Sequence, residues 1–193
     1  MRSFIRRLTI FCLALVWIPG CAAQTKDGLQ GNTFRNSAIG ITYSVPSKFF
    51  AKVETDLPQD PSGREHEILA LWETSERAGT PRMTFLYDTK VRPVGSTRET
   101  MAARYLAAMK DVATKGGGVS VSAPRAISPA GYTIWRMNYR SPATPESADN
   151  CGIVIPLKDR RILAIQINAS SKADLDAEID SLRELHFDAN TRP

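Results

Sequence analysis

The sequence predicts an α+β domain, a single mostly antiparallel sheet of about seven strands packed with two main helices. Three observations carry this reading. Apolar residues alternate at period two through Ile39, Ile41, Tyr43 and Val45, and again through Met83, Phe85 and Tyr87, which is the spacing of a half-buried strand. The spacing turns helical at Met101, Tyr105, Ala108, Met109 and Val112, and once more at Leu175, Ile179 and Leu182. Turn-forming prolines and glycines separate these runs.

The first element is a secretory signal over residues 1–20. Arg2, Arg6 and Arg7 give it a basic start, and Leu8 to Ile18 is apolar except for Thr9. That run makes about 16 Å of helix, short of the bilayer's hydrocarbon core of about 30 Å. Ile18-Pro19-Gly20-Cys21 resembles the lipobox of bacterial lipoproteins, which is cut before a cysteine that then carries lipid. Gly20 and Cys21 match the pattern, Ile18 is a variant of it, and Pro19 departs from it. The resemblance implies lipidation at Cys21 and a membrane partner reached through that lipid. Ala22 is not the aspartate that holds lipoproteins at an inner membrane, so the outer membrane or cell surface is the expected destination. Plain signal-peptidase cleavage after Ala22 or Ala23 is the alternative, giving a periplasmic or secreted protein. Residues 21–32 are small and polar, as a flexible tether should be.

The domain is expected over residues 33–189. Thr33 to Asn36 and Ile39 to Val45 read as a hairpin closed by Asn36-Ser37-Ala38, and Pro46 ends it. Residues 56–63, with two prolines and a glycine, form an exposed loop. Strands follow at Glu65 to Glu73 and Arg82 to Asp88, separated by the turn-rich Ser75 to Pro81. Thr97 to Thr114 is a helix, with Ser96 and Glu99 as its capping box and Gly116-Gly117-Gly118 as its stop. Strands at Val119 to Val121, Tyr132 to Arg140, Gly152 to Pro156 and Ile162 to Ala169 alternate with turns at Pro129-Ala130-Gly131, Ser141 to Asn150 and Leu157 to Arg160. Lys172 to Leu185 is the last helix, capped by Ser171 and Asp174, and Phe187 closes it onto the core.

Phe34-x-Asn36, Gly40-Ile41-x-Tyr43-x-x-Pro46, the mid-chain helix, the meander and the terminal Ser181-Leu182 with Phe187 are together similar to PsbP-like domains, over residues 33 to 189. The resemblance implies an α/β/α sandwich with an antiparallel sheet. It also implies a binding or assembly role, as in photosystem assembly factors and a Ran-binding import protein, with no catalytic residue to carry over.

Composition narrows the function classes. The formal charge is +5. Without Arg2, Arg6 and Arg7 the count falls to 22 basic against 20 acidic side chains. No basic run with interleaved aromatics remains, so nucleic acid is not an expected partner. His66 and His186 stand in no metal-binding spacing, no Gly-x-Ser-x-Gly is present, and the triple glycine lacks the Lys of a phosphate loop. No catalytic, cofactor or metal residue is assigned. His66 reads as a solvated strand edge and His186 as structural at a helix end. Cys151 reads as a partly buried thiol, and Asp174, Asp176, Glu178 and Asp180 as the wet face of the last helix. Trp72, Tyr87, Trp135 and Tyr139 are the only material for a ligand site, with core filling as the simpler reading. Arg136 and Arg140, on the opposite strand face, are expected in solvent.

The expected function is therefore an exported cell-envelope (lipo)protein that binds or assembles an unknown protein or small ligand, rather than an enzyme. The alternatives are a secreted hydrolase-like enzyme and a soluble periplasmic structural protein.

Overall fold

The computed structural model describes residues 27–55, 57, 65–77, 79–115, 119–120, 122–128, 131–140 and 149–193. The signal, residues 21–26 of the tether, most of the loop 56–63, the triple glycine, Val121, Pro129-Ala130 and residues 141–148 lie outside the described residues. Strands β1 (Gly28–Gln30), β2 (Thr33–Asn36) and β3 (Ile41–Ser44) open the domain. Next come β4 (Phe50–Val53), β5 (Glu65–Trp72), β6 (Met83–Asp88), helix α1 (Arg98–Lys115) and β7 (Val119–Ser120). The chain continues through β8 (Arg125–Ile127), β9 (Ile134–Arg140), β10 (Asp149–Pro156) and β11 (Ile162–Ala169). It closes with α2 (Lys172–Ser181), a 3₁₀ turn (Leu182–Glu184) and β12 (Leu185–Phe187).

The expected single sheet is instead two. A four-stranded sheet runs β1-β2-β3-β12, and an eight-stranded one runs β4-β5-β6-β11-β10-β9, with β7 and β8 sharing the outer edge of β9. Every pairing is antiparallel. Alternation in residues 39–45 does specify a buried face, since Ile41 and Tyr43 are fully enclosed. It cannot specify a partner, and β3 pairs with β2 and β12 rather than with the meander. Two boundaries move for the same reason. Gly28–Gln30, read as tether, pairs with β2. The last helix stops at Ser181, because Leu185 is drawn into register with Tyr43.

The large sheet is buried on both faces. One face packs against the small sheet and α2, where Phe34, Tyr43, Phe85, Ile153, Ile165 and Ile179 share one apolar cluster. The other carries α1, whose Met101, Ala102, Tyr105 and Leu106 meet Met137, Val154, Ile162 and Ala164. Three layers result: α1, the large sheet, and the small sheet with α2. At Gly152 of β10 a Cβ would lie 2.7 Å from Met109 Cε. The glycine thus lets the helix approach the sheet closely.

Candidate functional site

The site begins with an irregularity in β5. Leu69 and Leu71 face the main cluster, and strict period-two geometry would send Glu65 and Glu67 the same way. A bulge between Glu67 and Leu69 resets the register. Glu65 now lies opposite Asp88 on the face that α1 covers. There the Tyr105 hydroxyl donates to Glu65 Oε1 at 2.6 Å. Burial, and then this carboxylate, push the Tyr105 pKa upward, so its proton stays on the oxygen through the physiological range.

The chain leaving β6 is fixed before it enters α1. Asp88 accepts from the Lys90 backbone N–H at 2.9 Å and pairs with the Arg92 guanidinium, while Arg92 N–H donates to the Arg160 carbonyl at 3.1 Å. Helix α1 then starts one residue later than expected. Thr97 Oγ1 accepts from the Thr100 N–H at 3.1 Å, so Thr97 is the cap and not Ser96.

The apolar stripe of α1 is wider than the surface it covers. Met101 and Tyr105 are buried, yet Ala108 is exposed and Val112 is 72% exposed. These residues overhang an open cleft of about 720 Å³ between α1 and the sheet, within the range of small-molecule sites. Its lining includes Glu65, Asp88, Lys90, Arg92, Arg104 and Gln166. Arg92 is held by Asp88, whereas Lys90 and Arg104 have no ion-pair partner among the described residues.

The residues singled out from sequence are distributed differently. Of the four aromatics only Tyr139 lines the cleft. Trp72 is buried, with its Nε1–H donated to the Gly79 carbonyl at 3.2 Å, Tyr87 belongs to the main core, and Trp135 packs under α1. His66 is not at a solvated edge: it is half-buried opposite Tyr87, and its Nε2 is enclosed without a hydrogen-bond partner among the described residues. His186 sits exposed in β12 rather than at a helix end.

Cys151 is fully rather than partly buried, and desolvation pushes its thiol up to about 12, far from a nucleophile's range. Arg136 is buried instead of solvated, donating from Nε to Asn138 Oδ1 at 2.6 Å and reaching Asp176 at 3.5 Å. Glu178, expected on the wet face of α2, is only 1% exposed. Ser171 does cap α2, accepting from the Asp174 N–H at 3.1 Å.

The sequence offered one unused sign of the cleft, an apolar helical stripe running on to Val112 with more length than two or three strands can cover. Arg104 stands on the same stripe one turn before Ala108, whereas Lys90 and Arg92 are set by the path of residues 89–97, which has no periodic signature.

No family profile and no curated protein matches the chain. Among solved structures, the chain is similar to the solution structure of cyanobacterial PsbP (CyanoP) from Synechocystis sp. PCC 6803, at 12% identity and a TM-score of 0.52, over 89% of this chain and 99% of that one. At that identity the likeness speaks to the fold alone: the chain adopts a PsbP-like α+β fold.

Proposed function

We propose that this protein is an exported cell-envelope lipoprotein, anchored through Cys21, whose domain binds a small ligand in the cleft beside α1. The observation that carries the reading is the uncovered end of the α1 stripe. Ala108 and Val112 sit exposed along the cleft, next to Lys90 and Arg104, which have no ion-pair partner among the described residues. Exposed apolar surface beside convergent polar groups is what a binding pocket presents when empty.

Filling the cleft tests the reading. Ala108→Trp puts an indole into the space from an exposed helix position, where substitution costs the fold little. Protein isolated from its own envelope and examined by native mass spectrometry should carry a small-molecule adduct, and the Ala108→Trp protein should lose it while melting within a few degrees of the parent. An adduct that survives Ala108→Trp would place binding elsewhere and sink the proposal.

A further inference from the structure

We infer that the cleft selects a monoanionic amphiphile, a single carboxylate on an apolar chain; this rests on the cleft being the ligand site. Charge gives the first argument. Lys90, Arg92 and Arg104 line the cleft against Glu65 and Asp88, which leaves one positive charge in excess. Asp88 is committed to Arg92, and Glu65 is occupied by the Tyr105 hydroxyl. Lys90 and Arg104 together, set against the charge that Glu65 keeps, carry this excess of one, and one negative charge completes the site. A dianionic head would overshoot neutrality beside Glu65.

The helix gives the second argument. Arg104, Ala108 and Val112 follow one another at i, i+4 and i+8, so they stack along one stripe of α1. The stripe covers about 12 Å of helix between Arg104 and Val112. It is cationic at its N-terminal end and apolar beyond. A ligand lying along it would place its head between Arg104 and Lys90 and its chain over Ala108 and Val112. Met109, half-buried on the same side, adds a deformable wall to the chain's path.

The test uses the full chain as the soluble Cys21→Ser form and measures equilibrium binding of dodecanoate, dodecyl phosphate, dodecanol and dodecyltrimethylammonium. Dodecanoate should bind at one site, with dodecanol at least about tenfold weaker because it forgoes a charge-assisted hydrogen bond. Lys90→Ala and Arg104→Ala should each weaken dodecanoate several-fold and leave dodecanol unchanged. Lys110→Ala, on the same helix but outside the lining, should change neither. Equal affinity for dodecanoate and dodecanol, both lost in Ala108→Trp, would overturn the charge selection while the cleft remains the binding site. Dodecanoate binding that is absent, or indifferent to Ala108→Trp, would overturn the inference, and the indifferent case would remove the cleft with it. Preference for dodecyl phosphate, for the cationic amphiphile, or for phosphatidylglycerol vesicles over free dodecanoate would each overturn it too.

Discussion

Glu178 is the residue whose environment departs furthest from what its type demands. It lies on the inward face of α2, with both carboxylate oxygens enclosed and no hydrogen-bond partner for them among the described residues. Lys48 Nζ is 3.8 Å away, itself half in solvent. Burial lifts the Glu178 pKa from 4.5 to about 7, against the pull of Lys48 and Arg82 and with the push of Glu73 and Asp174. A carboxyl whose folded pKa exceeds its unfolded one stabilises the fold below the unfolded value and loses that contribution as pH rises through the folded value. Stability should therefore fall between pH 4.5 and about 7, by on the order of 3 kcal/mol if the whole shift is expressed. Urea denaturation at pH 5 and pH 8 measures it. Glu178→Gln, which cannot ionise, should remove most of that difference, and an unchanged pH slope in the variant would show that another group carries it.

At the scale of elements, α1 distinguishes a cap inferred from residue types from the cap the backbone uses. Ser96 and Glu99 satisfy the three-residue spacing of a capping box, but Thr97 and Thr100 satisfy it one step later, and the hydroxyl at Thr97 reaches the free N–H. Thr97→Ala should cost about 1 kcal/mol, and Ser96→Ala should fall within the scatter of thermal unfolding; the reverse order would restore the sequence-based cap. The same contrast runs through the fold. Strands such as Ile162–Ala169 and Met83–Asp88 were legible because their faces are set by side chains alone. Strands β4, β8 and β12 were not, since Phe50–Val53, Arg125–Ile127 and Leu185–Phe187 are too short to show a period and owe their conformation to a neighbour. The β5 bulge was invisible for a related reason. Glu65 looks like the next alternate residue before Glu67 and Leu69, and only the pairing with β6 reveals that its face has changed.

At the scale of the whole molecule, the cleft draws on β5, the end of β6 and the segment after it, α1, β9 and β11. Residues as far apart as Glu65 and Gln166 therefore share it only because the sheet order places β6 between β5 and β11. Periodicity along the chain carries no trace of such an assembly, whereas the proposed N-terminal signal rests on charge and hydrophobicity alone. Joining the two gives the last expectation. Asp27 accepts two hydrogen bonds from Ser37, so residues 22–26 are what lies between Cys21 and the described fold. Five residues fully extended span at most about 18 Å. A lipid on Cys21 would thus hold the domain against the membrane surface, within reach of amphiphiles leaving the bilayer. Each buried methylene contributes about 0.8 kcal/mol, so a diacyl anchor holds stably where a single chain would dissociate. Cys21→Ser should therefore move the protein from the membrane to the soluble fraction and abolish incorporation of radioactive fatty acid. Incorporation that persists in the Cys21→Ser chain would refute the anchor, and a wild-type protein already soluble and unlabelled would establish the plainly secreted form instead.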